Sequence, residues 1–476
     1  MIWWSKQQLK SKDLKSRQRV IEKLVAEGGA KACDALMEVL KDADPLIRCD
    51  MAAALGQLAD QRATGPLTVA LRDANESVRV AAAKSLGRIG NPRAETSLVA
   101  ALQDPAAEVR WAAARALEEL AWQPADATQR AIHFVAQGKF ELAVASGADA
   151  IEPIAFVLRN GAYQERHTAV LALGQIADAR VQKPLIAALS DKEDQVRCAA
   201  VEALRKLGDN SAATPLIAAL ADTAKNVRAA AAEALGEFKA QQALEPLRRA
   251  LADKNWEVRS AAALALGRFR DPQALDPIIG LLNDREHEVR ENAARALEML
   301  GDREAITALV LALKDEKQNV RQRANAALIA LDRNWSRTEA ARGAAPQLQD
   351  ALKHTEYWVR QSAADALAKI SHAQTAELRG TPPSQPALAA PLHFRRQAAI
   401  ETFIAMLSDF DREMRAAAAD ALGRIAQPST IPALSHAAKD PDEAVRNCAA
   451  HALAVLQAGQ NLPEARPPGA AEIFPF

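Results

Sequence analysis

AQQALEPLRRALADKNWEVRSAAALALGRF, residues Ala240–Phe269, decides the fold, because versions of it recur along most of the 476-residue chain. Its first half sets Ala243, Leu247, Ala250 and Leu251 at the spacing of one apolar helical face. Pro246 falls early, where a missing N–H is tolerated. Ala252-Asp253-Lys254-Asn255 is a polar turn with helix-capping residue types. The second half brings Val258, Ala261, Ala262, Ala265, Leu266 and Phe269 onto one face of a second helix. The unit is a hairpin of two short helices.

Arg259 marks the register. Its equivalents are Arg48, Arg79, Arg110, Arg166, Arg197, Arg228, Arg290, Arg321, Arg360, Arg415 and Arg446, and most neighbouring marks lie 31 residues apart. Eleven of the twelve follow an apolar residue, as Val258 precedes Arg259, and ten have Asp six positions earlier, as Asp253 does. A fixed period of this length signals a row of hairpins, none able to bury its apolar face alone. The fold expected is all-α, an α-α superhelix (α-solenoid) of about twelve hairpins. Asp and Arg recurring in every unit point to a structural ladder tying turns together, within and between repeats, rather than to one charged ligand site. Guanidinium suits that task through bidentate hydrogen bonding. Second helices are rich in small residues, and Leu-Gly pairs such as Leu266-Gly267 and Leu422-Gly423 fall near their ends. Glycine there costs roughly 1 kcal/mol against alanine, so close packing or helix termination has to justify it.

Leu251-Ala252-Asp253, Val258-Arg259 and Ala265-Leu266-Gly267-Arg268-Phe269 together resemble the HEAT-like repeat of the phycobilisome-lyase (PBS lyase) class, within the wider HEAT/armadillo solenoids. The resemblance covers roughly residues 31–457. Trp122-Gln123-Pro124 through Gly138, with Gly147-Ala148, is similar to an insert of multi-repeat members. Three activities of similar repeats follow as expectations to weigh. Bilin lyases handle a tetrapyrrole on a phycobiliprotein cysteine, but no residue here can be named for that chemistry. Deoxyhypusine hydroxylase holds two irons with four His-Glu pairs; this chain has one, His287-Glu288, too few for a di-iron site. DNA glycosylases of this architecture need a basic groove.

Composition narrows the field. Lys plus Arg equals Asp plus Glu at 60 each, so no net charge draws the chain toward nucleic acid or anionic membrane. Aromatics are 4% of residues, too few for a large aromatic-filled core. Cys33, Cys49, Cys198 and Cys448 are scattered without a CxxC, which fits reduced thiols in a cytoplasmic protein, not a disulfide framework or zinc site. No apolar run is long enough to span a bilayer, and the start, Met1-Ile2-Trp3-Trp4, lacks the apolar core of a signal peptide. Trp3 and Trp4 are expected to cap the first helix pair. No glycine-rich phosphate loop, GxSxG elbow or HExxH occurs. No catalytic residue, cofactor or metal is expected.

Along the chain, residues 1–30 read as a cap, 31–121 as regular repeats and 122–149 as a helical insert. Regular repeats fill 150–331, an irregular one 332–370, a Pro-rich loop 371–391, two last repeats 392–457 and a mobile tail 458–476. Two units are irregular in detail. Around Arg166, Glu165 replaces the apolar residue and Asn160 the Asp; before Arg360, His354 replaces the Asp.

If the residue before each Arg points into the core, those one and five after it face away, onto the inner wall of the curved row. One after the Arg come Cys49, Val80, Trp111, His167, Cys198 and Ser260; five after come Lys84, Arg115, Leu171, Glu202, Glu233, Arg295, Asp365 and Asp420. That wall is mixed in charge, so a duplex-binding groove is not expected. Tyr163, Trp256, His287 and Tyr357, with Trp358 beside the last, fall at the rim where second helices begin. Trp and Tyr are favoured interface anchors. The contact set expected is Trp111, Arg115, Tyr163, His167, Glu202, Glu233, Trp256, His287 and Tyr357. The function expected is a non-catalytic scaffold binding a protein or peptide along the concave wall; the alternative is a phycobilin lyase-like enzyme or chromophore chaperone.

Overall fold

Short amphipathic helices dictate the architecture, because each has one apolar stripe that only a neighbouring helix can cover. The computed structural model describes residues 7–380, 400–409 and 411–460. All secondary structure among them is helical. The chain is an all-α solenoid, divided into two units, Met1–Phe238 and Lys239–Phe476.

The first unit opens with the helix Leu14–Glu27 and continues as hairpins whose second helices are Pro45–Leu58, Glu76–Ile89, Ala107–Glu119, Tyr163–Leu173, Asp194–Leu207 and Lys225–Phe238. Between the third and fourth hairpins the insert forms two helices, Ala127–Ala136 and Phe140–Val144. In the second unit the second helices are Trp256–Phe269, His287–Leu300, Gln318–Leu331, Tyr357–Gly380, Arg412–Ile425 and Glu443–Gln460.

Local chemistry explains the hairpin. Most first helices begin as a three-residue 3-10 turn, for example Pro272–Ala274 leading into Leu275–Leu281. The Asp271 carboxylate accepts the Gln273 N–H there, as Asp60, Asn91, Asp178, Asp209 and Asp302 do in their own turns. Second helices are capped in the same way, with Asn75 accepting from Ser77 and Val78 and Asn255 from Glu257. All eleven apolar residues preceding a marker Arg, from Ile47 to Val445, are buried.

Close approach settles the Leu-Gly pairs. A Cβ on Gly267 would lie 2.9 Å from the Ala296 carbonyl oxygen and 3.0 Å from its Cα; one on Gly423 would lie 2.7 Å from the Ala452 Cβ. These glycines admit the backbone of the following second helix. Gly267→Ala is expected to destabilise the second unit by about 1–3 kcal/mol through overpacking, despite better helix propensity. Gly280→Ala, where a Cβ meets nothing within 4 Å, is expected to stabilise it by about 0.5–1 kcal/mol. Urea unfolding of both variants checks the contrast.

Three boundaries differ from those read in the sequence. Arg17, inside the stretch read as a separate cap, is 31 residues before Arg48 and does the work of a marker. It is buried, with Nε 2.5 Å from Asp50 and Nη1 donating to the Ser11 carbonyl at 2.6 Å. Ser11 and Ser16 stand where the repeat has Asp and an apolar residue, which hid it. The helix from Tyr357 continues to Gly380, past the expected start of the Pro-rich loop at 371, because no proline intervenes before Pro382. Within the insertion preceding the Arg360 unit, Trp335 is buried and Thr338 caps a first helix lengthened to Glu339–Ala351. The expectations for Trp3 and Trp4, for the prolines at 382–391 and for the tail beyond 460 fall outside the described residues.

Candidate functional site

The marker arginines resolve first, because they are the most charged feature of each repeat. Arg48 donates Nε and Nη2 to the two oxygens of Asp73, 25 residues on, at 2.7 and 2.8 Å, and Nη1 to the carbonyl of Asp42 in its own turn at 2.8 Å. Asp73 also accepts the Asn75 N–H. One carboxylate thus shapes its own turn and receives the guanidinium of the preceding hairpin. The same geometry joins Arg79 to Asp104, Arg166 to Asp191, Arg197 to Asp222, Arg259 to Asp284, Arg290 to Asp315 and Arg415 to Asp440. The Arg48 hydrogen bonds hold the Asp73 carboxyl below its usual range, and those of Arg415 do so for Asp440. Burial pushes Asp191, Asp222 and Asp284 up, yet the arginine and backbone hydrogen bonds outweigh it and the net shift is downward.

The insert would break this ladder, and Glu165 repairs it. Arg110 is buried and donates Nη2 to Glu165, 55 residues away. Glu165 looked like a defect in the sequence because it displaces the apolar residue before Arg166. Its carboxylate instead supplies the acid that the two extra helices moved out of reach.

The expected contact residues do not gather at one point. In the first unit, Trp111 is 45% exposed and the Arg115 guanidinium sits 6.0 Å from its ring centre, one helical turn on. Tyr163 and His167 form a second such pair, with ring centres 6.4 Å apart, and the Tyr163 hydroxyl donates to Gln195. Glu202 is bound by Arg205 at 2.8 Å, and Arg205 also reaches Glu237 at 2.9 Å. Glu233 is exposed on the next second helix.

In the second unit, Trp256, His287 and Tyr357 each open a second helix, as the register implied, but all three are half-buried. His287 Nε2 lies 3.3 Å from Glu288, and Asn319 connects its Nδ1 to Glu291. Tyr357 turns its hydroxyl to Gln361, and Trp358, at 59% exposure, presents the larger ring surface. Ser260 departs from the wall pattern: it is buried and accepts the Asn292 amide at 2.6 Å.

Two features escaped the sequence reading. Leu171, five after Arg166, is 48% exposed, a large apolar side chain on the same row as Arg115. A groove of about 410 Å³ between second helices is lined by Cys49, Val80, Lys84, Arg88, Glu76 and Glu108. Arg88 lies nine residues after Arg79, one further turn along the row, so the helical period could have found it. Among the described residues no group of His, Cys, Asp and Glu is arranged to hold a metal, and no helix is long and apolar enough to cross a membrane.

Known proteins bear on this geometry as follows. No curated protein matches the chain. Among solved structures, a chain from the structure of Kap95p binding to RanGDP aligns over 96% of this chain and 66% of its own, at 16% identity and TM-score 0.40. Human deoxyhypusine hydroxylase with glycerol aligns over 63% of this chain and 95% of its own, at 26% identity and TM-score 0.23. An engineered protein aligns over 89% and 98%, at 20% identity and TM-score 0.31. TM-scores this low transfer no function. The HEAT-repeat profile matches residues 64–139, 151–235, 213–298, 261–329, 277–368 and 400–468. Since these matches span well over half of the sequence, the chain belongs to the HEAT-repeat family.

Proposed function

We propose that the protein is a non-catalytic binding module that takes a protein or peptide on the face formed by its second helices. The observation supporting this most is Trp111, an exposed indole beside Arg115, on a row that also exposes Leu171. Burying such a tryptophan needs a partner, and Trp and Arg are the residue types that dominate interface energies. The lysine and arginines on this face early in the first unit, Lys84, Arg88 and Arg115, give way to Glu202, Glu233 and Glu237. A partner of complementary polarity would be held in one direction. Four unpaired thiols fit a reducing, cytoplasmic setting.

Capture from native cell extract tests the assignment. Alanine at Trp111 and Trp256 together is expected to weaken partner retention by at least about tenfold, the consequence of losing roughly 2 kcal/mol of anchor energy. Helical circular dichroism and melting are expected to stay nearly unchanged. Val69→Ala, at an exposed first-helix position, serves as control. Equal retention by the double variant and the control overturns the assignment. The tetrapyrrole alternative, which rests on the PBS lyase resemblance alone, is tested by titrating the purified protein with a bilin and following its visible absorption. A silent titration removes it.

A further inference from the structure

Arg321 stands apart from the ladder. Arg48, Arg79, Arg110, Arg166, Arg197, Arg259, Arg290, Arg360 and Arg415 each reach a carboxylate of a later hairpin. Arg321 donates Nη1 to the carbonyls of Asp315 at 2.7 Å and Glu316 at 3.0 Å, as the others do within their own turns. Among the described residues it meets no carboxylate. Burial holds its guanidinium below the usual arginine range, whereas aspartate contact raises Arg48, Arg79, Arg166, Arg197, Arg290 and Arg415.

The sequence supplies the cause. Twenty-five residues after Arg321 comes Pro346, and the position six before the next marker, Arg360, is His354. His354 keeps the backbone role of a ladder aspartate. Its N–H reaches the Ala351 carbonyl at 3.1 Å, and its own carbonyl accepts from Arg360 at 2.9 Å. Its Nδ1 accepts the Glu356 N–H at 3.1 Å, just as an aspartate oxygen accepts the amide two residues on. An Nδ1 that accepts leaves the ring proton on Nε2, a donor. Everywhere else along the ladder a cation meets a carboxylate; here a cation and a second donor flank the same rung.

A cavity of about 760 Å³ opens at this rung, lined among others by Asp315, Glu316, Gln347, Asp350, His354 and Val359. The corresponding groove beside Arg79 and Asp104 measures about 430 Å³. The larger volume suits a short peptide segment. We propose that this rung is a binding site for a peptide-borne carboxylate, an Asp or Glu side chain or a C-terminus, held bidentately by Arg321 and by His354 Nε2–H. A carboxylate has the fork geometry that guanidinium accepts at every other rung. Phosphate fits less well: Lys314 adds one positive charge to the cavity, but Glu316 and Asp350 both border it and oppose a dianion. The site lies within the second unit and does not depend on the second-helix face described above.

Thermal melting of the full chain tests it, with N-acetyl-aspartate amide, N-acetyl-asparagine amide and inorganic phosphate as probes at matched ionic strength. The aspartate probe is expected to raise the melting temperature of the native protein with dose, the other two to leave it unmoved. His354→Asp restores the missing acid from within the chain. It is expected to melt about 2–4 °C higher without any probe, the shift corresponding to one such rung in a unit of this size, and to lose the response to the aspartate probe. Arg321→Gln is expected to lose that response as well. A native protein that responds to all three probes alike, or to none, overturns the proposal, and so does a His354→Asp variant with an undiminished response.

Discussion

Arg259→Met is expected to cost the second unit about 3–5 kcal/mol, the penalty for leaving a buried carboxylate without its counter-charge. Arg259 and Asp284 are each 9% exposed, and their two hydrogen bonds are both 2.7 Å long. Methionine keeps much of the side-chain volume, so the loss reports charge and hydrogen bonding more than packing. Two acceptors lose their donor: the Asp284 carboxylate and the Asp253 carbonyl, which Arg259 Nη1 reaches at 2.9 Å. Arg259→Met with Asp284→Asn is expected to recover a large part of the loss, because the asparagine removes the orphaned charge and keeps an acceptor for the Glu286 N–H. Urea unfolding of the single and double variants gives the coupling directly. A loss under about 1 kcal/mol in the single variant would rank the ladder with ordinary surface ion pairs.

Acid is expected to unfold the protein through the same contacts. Asp73, Asp191, Asp222, Asp284 and Asp440 all have folded-state pKa values below the ordinary 3.8. Each therefore binds protons more readily in the unfolded chain than in the folded one. The stability they contribute is present in full above the unfolded value and drains away as pH falls through the folded values. Because the rungs recur between successive hairpins, their losses accumulate over one narrow window below about pH 4. Equilibrium denaturation at a series of pH values should show a steep fall there in the native protein. It should show a shallower one in Arg259→Met/Asp284→Asn, which has one titrating rung fewer. Identical slopes in the two proteins would remove the ladder as the source of acid lability.

Much of this was readable from residue order, and the reasons are local. Val258, Ala261, Ala262, Ala265 and Leu266 can only be one helical face, and Asp271 can only be an N-cap beside Pro272. The recurrence of Asp and Arg in every unit already argued for structure over catalysis. Arg17 was missed because the serines at 11 and 16 erase the pattern while the arginine keeps its spacing. Exposure along the second helices was only partly legible. The helical period put Trp111 and Arg115 together, but it put Ser260 on the same wall, where Asn292 covers it instead.

The sequence by itself determined that helical hairpins must lean on one another in a row, because no hairpin carries enough apolar surface to enclose its own stripe. Only the tertiary structure decided which carboxylate each arginine meets: Asp73 for Arg48, Glu165 for Arg110, none for Arg321. It also showed that Gly267 and Gly423 exist to admit the next helix backbone. Periodicity along a chain states what each residue turns toward. Distances between hairpins depend on how inserts and prolines displace one layer against the next, and those displacements have no period to read.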